Sequence, residues 1–339
     1  MSAISTTLEK LSVGQTTAHN NMAWFPLLDA ASPAADYLTL DEALNQGHAR
    51  VTEVDEGGSV PELMFSNESA RRVLLLDGEE LVGAKQNRVL NITILVGAGQ
   101  KLTIPVSCVE QGRWGYRSRD FSSADRAMYA RGRARKMSQV SASLRERGER
   151  HADQHDVWDG VAGMARCLNV ESPTEAMADA YEQSAESLAS YTEAFKPVGH
   201  QVGAVFCLGG KVTGIELFDS ADTFAKIAGK LVASYAMDAL GEQAKTGEKS
   251  DDAPAPGKDA VAAFMAKLAN SPANPFEALG EGRDLRIEGA EIVGGALELD
   301  GRLVHLSAFT REASGDSLRE QADELVSRIA SYRDRRRMH

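Results

Sequence analysis

The sequence has little cysteine and no long apolar run, and both absences exclude classes of protein. Its three cysteines, Cys108, Cys167 and Cys207, are odd in number and widely spaced, which argues against a disulfide framework or a cysteine-based zinc site. No stretch approaches the ~18 apolar residues that span a bilayer, and the N-terminus lacks the pattern of an export signal. We therefore expect a cytoplasmic protein without membrane association.

The signature motifs of several common enzyme classes are also missing. The sequence contains no GxxxxGK[ST] loop, no GxGxxG after a strand, no GxSxG elbow and no HExxH. The sequence therefore does not support assignment to the kinases, P-loop proteins, simple dinucleotide dehydrogenases or serine hydrolases. No cofactor is expected.

The charge that is present is unevenly distributed. The chain has 339 residues, 43% of them apolar, and a net charge of −12, yet residues 113–150 contain eleven Arg and Lys against four Asp and Glu. Such a local cation on an anionic protein can attract phosphate or nucleic acid. The alternative is a solvated stretch whose arginines only keep it soluble.

Short β-rich runs joined by tight turns dominate the chain. Turns at Asp77-Gly78, Gly209-Gly210 and Asp300-Gly301 predict hairpins, because two-residue turns with positive φ favour these dipeptides. Pro105 removes a ladder donor from the run KLTIPVSCV, so this strand is expected at a sheet edge or a bulge. Strand-rich blocks separated by helical blocks predict an α+β fold, a mostly antiparallel sheet built from hairpins with interspersed helices.

Helix signals are local and of several kinds. Thr39 and Glu42 form a capping box, and Ser172 and Ser220 are expected to cap two longer helices. A further helical pattern is expected to break at Gly148, which would leave the histidines after it in a loop or on a wet face.

Composition divides the chain into one domain and a terminal helix. Residues 18–312 are expected to form a single α+β domain, with a flexible linker at 241–258 that has no large apolar residue. Residues 314–339 carry an apolar stripe at 3.5-residue spacing and predict a C-terminal amphipathic helix. Because such a stripe must be covered by this chain or by a second copy, we expect a homo-oligomer.

The densest polar group lies in LLLDGEELVGAKQNRVL. The run Lys85-Gln86-Asn87-Arg88 does not alternate with apolar residues, as the outward face of an exposed hairpin would, so some of these groups are expected to point inward. A long cation buried without a partner costs several kcal/mol, and it must meet a carboxylate or a bound anion. Ligand binding is therefore expected here, with an exposed polar hairpin as the alternative.

The motif IPVSCVEQGRWGY contains a second group of candidates. No histidine lies near Cys108 in the sequence, so a buried packing role is favoured over a reactive thiolate. The Arg113 guanidinium can bind phosphate or carboxylate, and the Trp114 indole can stack on a base. Structural packing of this pair remains equally open.

A third group lies in HADQHDVW. His151 and His155, four residues apart with Asp153 between them, have the spacing of a weak divalent-metal motif. Histidines at this spacing are commonly surface residues, so no metal site is predicted. Asp153 and Gln154 could instead position a ribose or an amide.

These motifs together carry a resemblance. DGEELVGAKQNRVL, IPVSCVEQGRW, DQHDVW, SPTEAM and VGAVFCLGGKVTGIELFDS resemble the ARG and rhodanese-phosphatase superfamily associated protein domain, from about Trp24 to Phe309. The resemblance implies an α+β domain that is associated in genomes with ADP-ribosylglycohydrolases and other NAD- and ADP-ribose-processing proteins. By matching position, the polar signature of the family comprises Glu79, Gln86, Arg88, Cys108, Glu110, Arg113, Trp114, Asp153 and Gln154.

The leading hypothesis is that the protein binds or processes an ADP-ribose- or NAD-like nucleotide. Cations would bind a diphosphate, and polar side chains would bind the ribose hydroxyls. The Trp114 indole would stack on the base. If the protein is a hydrolase, Glu79 or Glu110 is the expected general acid/base. The expected ligand-binding residues are Lys85, Gln86, Arg88, Cys108, Arg113, Trp114, Asp153 and Gln154.

The alternative is a non-catalytic interaction protein. It would oligomerise through its C-terminal helix and contact nucleic acid or an acidic partner through residues 113–150. The negative charge of the whole chain argues against broad coating of nucleic acid.

Overall fold

The computed structural model describes residues 2–55, 57–115, 117–246 and 255–311. Within these ranges the helices are α1 Ala3–Lys10, α2 Leu40–Asn45, α3 Ala130–Arg147, α4 Gln154–Cys167, α5 Met177–Gln183, α6 Ala185–Ala194, α7 Ala221–Thr246 and α8 Lys258–Ala269. The strands are β1 Ser12–Val13, β2 Thr17–His19, β3 Met22–Leu28, β4 Tyr37–Thr39, β5 Ala49–Glu53, β6 Glu62–Asn67, β7 Arg72–Leu75, β8 Glu79–Gly83, β9 Arg88–Leu90, β10 Ile94–Val96, β11 Lys101–Cys108, β12 Asp120–Ala127, β13 Gln201–Leu208, β14 Lys211–Phe218, β15 Ala273–Glu277, β16 Arg283–Glu288, β17 Ile292–Leu299 and β18 Arg302–Thr310.

The strands form a large open sheet, a closed barrel and a small sheet. The nine-stranded sheet runs β1-β3-β13-β14-β18-β17-β16-β15, with β2 also paired to β3, and the barrel closes as β11-β6-β5-β12-β8-β9. The small sheet is β10-β7-β4, and its β4–β7 pair is parallel. Helix α7 contacts both β13 of the large sheet and β12 of the barrel, and α3 contacts β17. The predicted α+β fold is confirmed. No helix in the described ranges combines the length and apolar character needed to cross a membrane.

Two of the three predicted hairpins are confirmed and one is wrong. Gly209-Gly210 joins the paired strands β13 and β14, and Asp300-Gly301 joins β17 and β18. At Asp77-Gly78 the chain instead leaves the small sheet for the barrel, since β7 pairs with β4 and β10 while β8 pairs with β9 and β12. Gly78 has a φ of +83°, and a β-carbon there would stand 2.8 Å from the Arg133 side chain. The glycine therefore serves both the turn and the close approach of α3.

Pro105 lies inside the closed barrel, so the predicted sheet edge is wrong. Strand β11 pairs with β6 as far as Pro105, opposite Glu62, and with β9 from Val106 onward. A residue without an N–H is tolerated at this point because the strand changes its partner there.

The helix boundaries predicted from the sequence are correct where the residues that form the boundary are close together in the chain. The Thr39–Glu42 capping box is present, and α3 ends at Gly148 in the left-handed conformation with φ +72°, as predicted. Ser172 does not cap a helix: its hydroxyl accepts from Ala176 N at 2.8 Å, and α5 begins only at Met177. The predicted single helix is thus two helices that start later.

The helix after the second hairpin begins where expected but is longer. Helix α7 starts directly after Ser220, whose hydroxyl has no hydrogen-bond partner in the part of the chain that the structure describes. It continues to Thr246, so the first six residues of the predicted linker at 241–258 are helical. The predicted C-terminal helix, 314–339, lies outside the described residues.

A cluster of buried charges joins the barrel side to the large sheet. We call it the buried ion-pair cluster, and it comprises Asp77, Arg133, Lys136, Glu216 and His305, each at most 2% exposed. Arg133 Nη1 donates to Glu216 Oε1 at 2.7 Å, Lys136 pairs with Asp77, and His305 Nε2 lies 3.6 Å from Glu216 Oε2. These groups come from the turn after β7, from α3, β14 and β18. The cluster therefore fixes three layers of the fold against each other.

Candidate functional site

The polar run between β8 and β9 is buried, as its lack of alternation predicts. Lys85, Gln86, Asn87 and Arg88 are 7%, 4%, 2% and 0% exposed. They follow the end of β8 and enter β9, whose Arg88 pairs with Leu81 across the ladder. The barrel thus directs four consecutive polar side chains away from solvent.

Arg88 is a buried cation that pairs with no carboxylate in the part of the chain that the structure describes. Its Nη1 donates to Gln86 Oε1 at 3.2 Å and to Cys108 Sγ at 3.4 Å. Its Nε and Nη2 have no hydrogen-bond partner among the described residues. Burial lowers the pKa of Arg88, which shows how poorly its charge is solvated.

The Trp114 indole covers this guanidinium. Its ring is 52% exposed, and its centroid lies 5.8 Å from Arg88 Cζ and 5.2 Å from Lys85 Nζ. Lys85 Nζ also donates to the carbonyl of Gly57. Two cations therefore lie within cation–π distance of one exposed aromatic ring. We call Lys85, Gln86, Arg88, Cys108 and Trp114 the Arg88 site.

Cys108 forms part of the floor of the Arg88 site. Its Sγ donates to Gln86 Oε1 at 3.0 Å, and burial raises the pKa of the thiol, so it stays protonated. The side-chain amide of Gln154 bonds both the backbone N and the backbone O of Cys108 at 2.8 Å. Gln154 thereby positions this strand end from helix α4. Asp153 caps α4 by accepting from the backbone N–H groups of His155 and Asp156 at 3.0 and 3.2 Å.

Glu110 and Arg113 form a tight pair next to the Arg88 site. Arg113 donates from Nε to Oε1 at 2.8 Å and from Nη2 to Oε2 at 2.6 Å, and Asn87 N and Thr174 Oγ1 also donate to this carboxylate. Burial alone would raise the pKa of Glu110, but these hydrogen bonds outweigh it and hold the pKa below its usual value. Arg113 Nη1 donates to the backbone carbonyls of Ala84 and Gly115. The two charges therefore neutralise each other.

Glu79 lies on the opposite side of β8 from this group. It accepts from Lys230 Nζ of α7 at 2.9 Å and from Leu76 N at 2.9 Å, and burial raises its pKa in spite of Lys230. Its neighbour Glu80 accepts instead from Asn87 Nδ2 at 3.0 Å, because successive strand residues face opposite ways. The structure thus brings Glu80 towards Glu110 and leaves Glu79 in a separate ion pair.

The two histidines of the third motif do not converge. His151 Nδ1 lies 3.5 Å from a carboxylate oxygen of Glu149, and the His155 ring packs edge-on against Trp158. Within the described ranges no group of three or more His, Cys, Asp or Glu side chains is arranged to hold a metal ion.

The basic stretch at 113–150 is largely occupied by internal contacts. Its cations that pair with carboxylates of the same chain include Arg113, Arg126, Arg131, Arg133, Arg135, Lys136, Arg145 and Arg150. Arg133 and Lys136 are wholly buried. Much of the positive charge of this stretch is therefore neutralised within the chain.

The comparison with protein families agrees with the resemblance. The family model of the ARG and Rhodanese-Phosphatase-superfamily-associated Protein domain matches residues 10–309. The chain belongs to this family. No curated protein and no solved structure matches it. The matched range contains the whole barrel, so the Arg88 site lies inside the family domain.

Glu53, at the end of β5, was not among the site residues predicted from the sequence. This carboxylate is 9% exposed, accepts from Lys85 N through Oε1 at 3.3 Å, and has no hydrogen-bond partner at Oε2 in the described part of the chain. The signal was present in ARVTEV, where the two-residue period places Glu53 on the same buried face as Val51.

Lys230 was missed as well, and for a similar reason. It lies in the run KIAGKLVASY of α7, where its neighbours Ile227, Leu231 and Ser234 are also buried. A lysine on an apolar helical stripe requires a buried carboxylate, which the fold supplies in Glu79. The pattern could have shown that Lys230 is buried, but its partner comes from a distant strand.

Proposed function

We propose that the chain binds an ADP-ribose- or NAD-like nucleotide at the Arg88 site. Arg88 and Lys85 hold the phosphate oxygens, and Trp114 stacks on a base or closes over the bound anion. The observation that carries the proposal is that Nε and Nη2 of the wholly buried Arg88 guanidinium have no hydrogen-bond partner within the described ranges.

A bound phosphate would compensate for the free-energy cost of the buried Arg88 charge. A buried charge without a partner costs several kcal/mol, and proteins retain such groups where a ligand or function requires them. Phosphate supplies both the opposite charge and acceptor oxygens for Nε and Nη2. Arg113 is already neutralised by Glu110, so Arg88 is the better phosphate ligand of the two.

The contacts favour binding over hydrolysis. Glu110 is held ionised by Arg113 and suits a base, not an acid, while Glu79 is committed to Lys230. Asp153 and Gln154 act through the backbone, as a helix cap and as a support for Cys108. The homo-oligomer expected from residues 314–339 and the cytoplasmic location stay predictions.

Isothermal titration calorimetry with ADP-ribose, NAD and inorganic pyrophosphate tests the proposal. We expect binding by the wild-type chain and loss of binding in Arg88→Met. Arg50→Met is the matched control, because Arg50 is an exposed arginine of the same barrel whose Nε lies 3.5 Å from Asp120 Oδ2. The absence of heat from all three ligands with folded wild-type protein would overturn the proposal.

A further inference from the structure

Two kinds of buried polar atoms at the same end of the barrel have no hydrogen-bond partner among residues 2–55, 57–115, 117–246 and 255–311. One kind is the guanidinium nitrogens Nε and Nη2 of Arg88, and the other is the carboxylate oxygen Oε2 of Glu53. Both side chains are at least nine-tenths buried. A buried polar atom without a partner costs about 1–3 kcal/mol, so each calls for an explanation.

Lys85 and Gly58 connect the two sets of atoms. A β-carbon at Gly58 would stand 3.3 Å from Glu53 Oε2 and 3.2 Å from Lys85 Nζ, so the two atoms border the space that this glycine leaves open. Lys85 Nζ and Arg88 Cζ in turn lie under the same Trp114 ring, 5.2 and 5.8 Å from its centroid. Glu53 is also among the charges that act on Arg88. The carboxylate thus adjoins the cations without forming a salt bridge to Arg88.

We propose that Glu53 is a specificity-determining residue, whose Oε2 accepts a hydrogen bond from a sugar hydroxyl of the ligand while its phosphate lies on Arg88. The proposal rests on the proposed function. An ionised carboxylate only accepts hydrogen bonds, so it attracts hydroxyl donors and repels a second anionic group. In a nucleotide the sugar is bonded directly to the phosphate, which places hydroxyl groups next to the anion. Carboxylates take this role towards ribose in other nucleotide-binding folds.

The arrangement also orients the ligand. A phosphate placed at Glu53 would be repelled, and a hydroxyl placed at Arg88 would leave the cation without a counter-charge. Only the orientation with phosphate on Arg88 and sugar on Glu53 satisfies both sets of atoms. Glu53 therefore selects phosphorylated sugars over bare phosphate.

The test compares ribose 5-phosphate with inorganic pyrophosphate, by calorimetry on the full chain. Glu53→Gln should weaken binding of ribose 5-phosphate by about tenfold or more, since it replaces a charged acceptor by a neutral one. Binding of pyrophosphate should stay unchanged or tighten, because a like charge is removed. Glu62→Gln, on the adjacent strand β6, is the matched control and should change neither affinity.

A second variant guards against loss of folding in Glu53→Gln. Glu53→Asp keeps the negative charge but shortens the side chain by one methylene group, and it should lower affinity for ribose 5-phosphate selectively. If wild-type protein binds neither of these ligands and neither ADP-ribose nor NAD, the proposed function itself fails. If it binds pyrophosphate but not the sugar phosphate, or if Glu53→Gln weakens both ligands equally, the role of Glu53 is overturned while phosphate binding stands.

Discussion

Replacing Arg88 by methionine should stabilise the protein while removing its ligand affinity. Among the described residues, the wild-type guanidinium forms hydrogen bonds through Nη1 alone, to Gln86 Oε1 at 3.2 Å and Cys108 Sγ at 3.4 Å, and none through Nε or Nη2. An unsatisfied buried donor costs about 1–3 kcal/mol, whereas a neutral hydrogen bond contributes about 1 kcal/mol. Methionine is unbranched, adaptable and without donors. We therefore expect the free energy of unfolding to rise by about 1–3 kcal/mol.

Arg133→Met provides the matched comparison. Arg133 is equally buried, but its Nη1 donates to Glu216 Oε1 at 2.7 Å, so its removal leaves a buried carboxylate without its main counter-charge. Breaking such a pair costs about 3–5 kcal/mol. The same substitution at two arginines of equal burial should thus change stability in opposite directions.

Urea denaturation followed by circular dichroism measures both effects, and calorimetry on the same preparations measures affinity. We expect Arg88→Met to be at least as stable as the wild-type protein and to have lost its affinity for the nucleotide ligands. A loss of about 2 kcal/mol or more in this variant would assign Arg88 a structural role, because relief from two unsatisfied donors would then be absent.

Three further predictions concern other parts of the molecule. Burial raises the pKa of Asp238 from 3.8 to about 7, so the native state retains a proton that the unfolded chain has released. Stability from this group is complete below about pH 4 and is lost as pH rises through 7; Asp238→Asn should flatten that decline in urea titrations between about pH 5 and pH 8, and an unchanged slope would contradict the assignment. Lys230→Met should cost about 3–5 kcal/mol by leaving Glu79 unpaired, and adding Glu79→Gln should restore part of it; a double variant no more stable than Lys230→Met would exclude this coupling. Because most of the cations of 113–150 pair with carboxylates of the same chain, fluorescence anisotropy should detect no binding to random duplex DNA at low salt, whereas a salt-sensitive complex would support the interaction-protein alternative.

The sequence predicted those features of the fold that are decided by neighbouring residues. The capping box at Thr39, the break at Gly148 and the hairpin at Gly209-Gly210 each depend on contacts within a few positions. Asp77-Gly78 carries the same turn signal, yet its flanking strands belong to different sheets. Turn chemistry fixes a reversal of direction, but which strands pair is decided by partners far away in the chain.

The same distinction applies to the candidate site. The run at Lys85 shows by its lack of alternation that polar groups turn inward, and the structure confirms this. The sequence could not separate Glu79 from Glu80, because the choice depends on which of them meets Lys230, 151 residues away from Glu79. Nor could it show that Arg113 is paired with Glu110, whereas Arg88 meets no carboxylate within the described part of the chain.

The buried ion-pair cluster determines where the molecule can change shape. Moving the turn that leads into the barrel away from α3 would separate Asp77 from Lys136 before water could reach them, so half-open arrangements are strongly disfavoured. Hinge bending between this turn and the helix is therefore disfavoured as a response to ligand. Any adjustment on binding must be confined to peripheral segments, and the exposed indole of Trp114 is the side chain best placed to swing.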